Sequence, residues 1–305
     1  MNKAMLNGFR LWMAEQKLNV YGIVVKQNNQ RLEHRFRSDD KVNIYSASKG
    51  VTALAIGMLA DENKLDLNDK ALYHFPEYRE SASEGSLDIT IRHLLQMRSG
   101  KEAFFGEFRS SKEDNLKTFF SYPVTAKPGE KFFYSNGCTY ALSRLVEKIT
   151  GQTLRDFLVP RLFDYLGIEN PQWFTCYHGH TLGATGLFLT TEELSRIGEV
   201  FLGEGTYGGA RLVSAEFIKQ CFSDGLPTHD PKASPNGKAY GYQLWLGQLP
   251  GTFRLDGKYG QYSIVFPKEK ATVTITAHEE FRSSDIVKAV YEEIFPYLES
   301  GCAQE

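Results

Sequence analysis

The sequence predicts the α+β class: one antiparallel sheet built from both ends of the chain and flanked by helices, with an inserted helical lobe. Three observations predict it. Runs rich in β-branched and aromatic residues lie near the N-terminus and again in the last third. Between them, apolar residues recur at helical spacing. No repeat or low-complexity tract interrupts the 305 residues, a length that suits one large domain or two modest ones. The resulting division is a single domain over 1–305, with an α/β lobe of about 1–45 and 236–305 and a helical lobe of about 46–235.

In chain order, Met5, Phe9, Trp12 and Met13 recur at helical spacing and predict an amphipathic helix. Lys3, Arg10, Glu15 and Lys17 break up its apolar residues, unlike a signal peptide. Residues 19–26 (NVYGIVVK) and 31–36 (RLEHRF) read as strands joined by a hairpin turn that lacks the usual glycine. From Ser46, SASKGVTALAIGMLADENKL reads as a helix buried on most sides. Helices follow over 89–97, over 137–149 ending at Gly151, over 191–202 behind the capping pair Thr190 and Glu193, and over 212–222. Strands return over 241–247, 252–255, 261–266 and 271–278, and a last helix from Ser284 to about Phe295 stops before Pro296.

Composition excludes several function classes. A hydrophobic fraction of 42% with 27 glycines is that of a globular chain, not a disordered or collagenous one. Basic and acidic residues number 35 and 37, and no basic cluster stands ready for nucleic-acid phosphates. No stretch approaches the roughly twenty apolar residues of a membrane span. A cytoplasmic location is the expectation. Cys138, Cys176, Cys221 and Cys302 form no C-x-x-C pair, so they read as reduced thiols.

The candidate nucleophile is Ser46 in Ser46-Ala47-Ser48-Lys49. A serine hydroxyl needs a base to take its proton, and residues three apart on a helix share a face, so Lys49 can reach Ser46. Burial at the start of an apolar helix lowers a lysine pKa and lets the amine accept a proton. A second S-x-x-K, Ser38-Asp39-Asp40-Lys41, lies in a charged turn with no helix to orient it and reads as a solvated loop. Tyr134-Ser135-Asn136 stands between a Pro-Gly turn and the helix at Gly137. A tyrosine beside Lys49 would have its phenolate stabilised by the ammonium and would share proton transfer. Asn136 offers an amide to a substrate carbonyl.

Other candidates are weaker. His178 and His180 can share one face of a strand, but spacing supplies no third metal ligand, and no metal or organic cofactor is expected. No G-x-S-x-G elbow occurs. Tyr122, Phe132, Phe133, Trp173 and Phe174 can line a pocket, although aromatic residues in a helical lobe more often form core, and His278 reads as structural.

SASKGVTALAIGML followed by Tyr134-Ser135-Asn136, together with ITIRHLLQMRSG and GATGLFLTTEELSRIG, resembles the serine β-lactamase and penicillin-binding protein superfamily. The branch it resembles is that of class C β-lactamase-like hydrolases, which includes esterases and 6-aminohexanoate-dimer hydrolases. The resemblance runs along most of the chain and implies a β-lactamase/transpeptidase-like fold. It implies Ser46 as acylated nucleophile, Lys49 as partner base, Tyr134 for proton transfer and Asn136 as a carbonyl contact. The Ser46 amide would form half of an oxyanion hole. The family's Lys-Thr-Gly or His-x-Gly strand is absent. Leu255-Asp256-Gly257 takes its place in the preferred alignment, with the Lys258 amide completing the oxyanion hole, and Lys258-Tyr259-Gly260 is the alternative. Without the cation, recognition of a carboxylate weakens. The substrate implied is a small ester or amide, with a D-amino-acid peptide or β-lactam next. The second reading is a β-lactam sensor or scaffold of the same fold that does not turn over.

Overall fold

The computed structural model describes residues 4–102, 109–228 and 239–302. Residues 1–3 and the expected lobe boundary at 236 lie outside them.

One sheet organises the chain. Its strands are β1 (Val20–Gln27), β2 (Gln30–Arg35), β3 (Leu226–Pro227), β4 (Ala239–Tyr240), β5 (Trp245–Leu246), β6 (Phe253–Gly257), β7 (Gln261–Phe266) and β8 (Ala271–Ala277). They are ordered β2-β1-β8-β7-β6-β5-β4-β3, with every pairing antiparallel. Strands from the two ends of the chain therefore meet at β1 and β8, as the α+β reading requires. The β1–β2 turn needs no glycine because Asn28 itself takes φ +53°, a conformation asparagine tolerates better than most residues.

Each face of the sheet is covered. On one side, helix α1 (Ala4–Glu15) buries Met5, Leu6, Phe9 and Met13 against Ile286, Val290, Ile294 and Leu298 of the C-terminal helices. On the other lies the helical lobe, centred on α2 (Ser48–Asp61), α3 (Ile91–Leu95), α4 (Asn136–Thr150) and α5 (Thr191–Leu202). Helix α2 is buried from Ser48 to Leu59, and its mostly apolar sequence follows from that burial. Gly50 lets it lie against β6, since a Cβ there would meet Leu255 Cδ2 at 2.9 Å. Among the described residues, no helix is long and apolar enough to cross a membrane.

Three expectations are corrected. The helix expected from Ser46 begins at Ser48, and Tyr45–Ala47 forms a 3-10 turn ahead of it. Tyr45 has φ +48°, and a non-glycine residue in that region cannot continue an α-helix backwards. The strand expected over 241–247 shrinks to Trp245–Leu246, because Gln243 at φ +61° interrupts it. The last helix does not stop at Pro296. It passes through a π-helical stretch, Val290–Ile294, into Phe295–Cys302, where Pro296 occupies a first turn that tolerates a missing N–H.

Candidate active site

The 3-10 turn that carries Ser46 is held from three directions. Asn43 Oδ1 accepts from the Tyr45 amide at 2.8 Å and from the Gly186 amide at 3.2 Å. The Ile44 amide donates to Leu187 O at 2.9 Å. Ser48 Oγ donates back to Tyr45 O. Ser46 is thereby fixed in a partly exposed position while Lys49, one helical turn on, is 1% exposed.

Lys49 Nζ lies 2.9 Å from Ser46 Oγ, 2.8 Å from Asn136 Oδ1 and 2.9 Å from Ala184 O. Two of these neighbours only accept, so a neutral amine would spend its two N–H groups on Asn136 and Ala184 and turn its lone pair to the Ser46 hydroxyl. Burial lowers the Lys49 pKa to about 7, with Cys138 and Asp256 opposing the drop. Asn136 opens α4, where the Ser135 hydroxyl caps the helix by accepting from the Gly137 amide at 3.1 Å. With Oδ1 on Lys49, the Asn136 amide nitrogen is the donor left for other partners.

Tyr134 completes the group. Its phenol shares a hydrogen bond with Ser46, and Lys49 Nζ sits 4.9 Å from its ring centroid. The expected stabilised phenolate is not what the surroundings favour: burial pushes the Tyr134 pKa up, and Asp256 pushes the same way. Tyr134 is therefore a neutral phenol beside an easily deprotonated lysine.

The preferred third-motif strand also reaches the site. Gly257 ends β6 against the nucleophile turn, where a Cβ would fall 2.2 Å from Ile44 O and 3.2 Å from the Ala47 amide nitrogen. Asp256 precedes it and is bound by Arg254, Nε to Oδ2 at 2.9 Å. Burial raises the Asp256 pKa while Arg254 opposes the rise. Lys258 follows in the turn, its side chain exposed and its Nζ 4.6 Å from the Tyr259 ring centroid. Six of the seven residues picked from the sequence thus lie together where β6, the 3-10 turn and α4 meet, while Lys258 follows them in the chain with its side chain in solvent.

Five further residues surround the group. Trp245 stacks on Tyr134 at 5.7 Å and 21°, and Tyr240 and Phe132 pack around the pair. Ala184 supplies the carbonyl on Lys49, and Arg254 the counter-ion of Asp256. Of these, Phe132 was already a pocket candidate, and Ala184 fell within a family-like segment. Trp245 has no local signal, because its place comes from strand pairing, whereas Arg254 lies two residues before Asp256 on one strand face, a local signal that the sequence reading does not use. The remaining candidates lie elsewhere: His178 Nε2 faces Lys112 O and His180 Nδ1 faces Glu147, each at 2.9 Å. Trp173 is buried, with Nε1 donating to Thr185 O at 3.1 Å, and Phe174 packs on Phe188.

Known proteins resemble this chain in sequence and in fold. The chain is 27% identical over 217 residues to lovastatin esterase from Penicillium rubens, a match covering 59% of this chain and 54% of the relative. A second match is to Protein flp from Staphylococcus aureus, 31% identical over 124 residues, 39% of this chain and 25% of that one. The chain thus aligns with about half or less of the length of these relatives. Its fold is that of a putative 6-aminohexanoate-dimer hydrolase from Bacillus anthracis, with a TM-score of 0.77 at 21% identity over 95% of this chain and 82% of that one. The family model described as Beta-lactamase matches residues 13–293, and the chain belongs to that family.

Proposed function

We propose that the chain is a serine hydrolase that cleaves a small ester or amide through an acyl-Ser46 intermediate. The observation that carries this reading is the Lys49 amine, buried, 2.9 Å from Ser46 Oγ and titrating near 7. Neutral Lys49 takes the Ser46 proton as Oγ bonds to the carbonyl carbon. The amides of Ser46 and Lys258 receive the developing oxyanion, a role the closeness of Gly257 to the nucleophile turn supports. On collapse, the alcohol or amine leaves with the Tyr134 proton, and the Lys49 ammonium restores it. Water then gives a proton to the same pair, attacks the acyl carbon and releases the acid with Ser46 reprotonated. Asn136 orients the substrate carbonyl side through its amide nitrogen. The partner is a small-molecule ester, amide or β-lactam, and the steps draw on the chain's own side chains and amides together with water. Lovastatin esterase, a relative by sequence, supports the ester class.

Intact-protein mass after incubation with a fluorophosphonate, and separately with benzylpenicillin, tests the reading. Wild type gains the phosphonyl mass and Ser46→Ala gains none. No adduct on wild type with either reagent sinks the proposal in favour of a scaffold. A penicillin adduct that persists for hours favours a sensor.

A further inference from the structure

The third-motif strand carries a cation after all, but it is turned inwards. Arg254 and Asp256 alternate on one face of β6, and the guanidinium Nε donates to the carboxylate at 2.9 Å. The pair is asymmetric: the Arg254 side chain is 1% exposed and that of Asp256 is 17% exposed. Trp245 on β5 pairs with Arg254 in register, and the same indole stacks on Tyr134. The next residue after Asp256 touches the nucleophile turn. A substrate entering beside Ser46 therefore meets the anionic end of the pair first, while the cation lies behind it against the sheet.

We propose that the Arg254–Asp256 pair is a charge filter that makes the cleft select neutral or cationic acyl groups and reject those with a free carboxylate. This rests on the acyl-Ser46 reading and adds a substrate class to it. The physical reason is the asymmetry of the pair: Asp256 is its more exposed member, so a carboxylate at Ser46 feels the repulsion of Asp256 more than the attraction of the buried Arg254. Water exclusion in the filled cleft strengthens the difference. The influence of Asp256 on Lys49 and Tyr134 supports its placement toward the cleft, since both side chains feel its charge.

The test compares two substrates that differ only in charge, mono-4-nitrophenyl adipate and its methyl ester, by kcat/KM on each variant. The ratio within one variant cancels any change in Lys49 basicity. Wild type is expected to prefer the methyl ester at least tenfold. Asp256→Asn, nearly the same in shape, is expected to cut that preference at least fivefold, and Asp256→Glu to restore part of it. Arg254→Met, if it folds, is expected to keep or enlarge the preference. An unmoved ratio in Asp256→Asn, with both esters still turned over, overturns the filter and leaves the hydrolase reading intact. Wild type that turns over neither ester and takes no fluorophosphonate overturns both.

Discussion

Replacing Lys49 with methionine changes stability by an amount that depends on pH. In the folded chain Lys49 titrates near 7 against an ordinary 10.5, a gap worth about 5 kcal/mol. Because the folded pKa is the lower one, burial of the amine costs stability. The cost is full below pH 7, where both states are charged. It fades between 7 and 10.5, where the folded chain has released the proton and the unfolded chain still holds it. That gives a penalty of about 5 kcal/mol at pH 6 and about 2 kcal/mol at pH 9. Methionine fills a similar volume without the charge, but it leaves Ser46 Oγ, Asn136 Oδ1 and Ala184 O without this hydrogen-bond partner. Each loss costs about 1 kcal/mol. Lys49→Met is therefore expected to be about 2 kcal/mol more stable than wild type at pH 6 and about 1 kcal/mol less stable at pH 9. Urea unfolding of both proteins at the two pH values measures this. A difference that does not move with pH refutes the reasoning, because lost packing or strain does not titrate.

The same titration governs the chemistry: fluorophosphonate labelling is expected to run about tenfold slower at pH 6 than at pH 8, and a flat profile would mean that Lys49 is not the base. Tyr134→Phe is expected to lower turnover of a nitrophenyl ester about a hundredfold with KM within a factor of about two, as steady-state kinetics will read; unchanged turnover removes Tyr134 from the proton path. Gly257→Ala places a Cβ 2.2 Å from the Ile44 carbonyl, so the nucleophile turn must shift. Labelling of Ser46 is expected to slow at least about tenfold, while circular dichroism shows a folded protein.

How much was legible follows from how local each signal is. Most of the strands, the capped helix at Thr190 and the Ser46–Lys49 pair are set by spacing within a few residues, and a reader of the sequence can see them. The start of α2 was misread because nothing in a tyrosine announces a left-handed backbone at Tyr45. The protonation of Tyr134 was misread for a related reason. An ammonium nearby favours a phenolate, but the depth of burial that empties Lys49 of its proton and keeps Tyr134 neutral is a property of packing. Trp245 and Arg254 were missed as site residues. Trp245 joins the site through the register of β5 on β6, which sets it beside Arg254, and Arg254 joins it by binding Asp256 two residues on.

The sheet that joins the two ends of the chain also sets a timetable. Val20 pairs with Ala277, and Ile44 beside the 3-10 turn lies against Gly257, so neither contact can form until residues 257 and 277 have left the ribosome. Contacts this distant in sequence close late and slowly. The helical lobe can collapse earlier around α2, with Ser46 and Lys49 already neighbours but with no strand beside them. An unfinished or C-terminally clipped product would then be compact yet inert, its β1 edge unpaired and open to other strands. On the acyl-Ser46 reading, chemical competence waits for residues 253–277, and Ser46 stays unassisted until they are made.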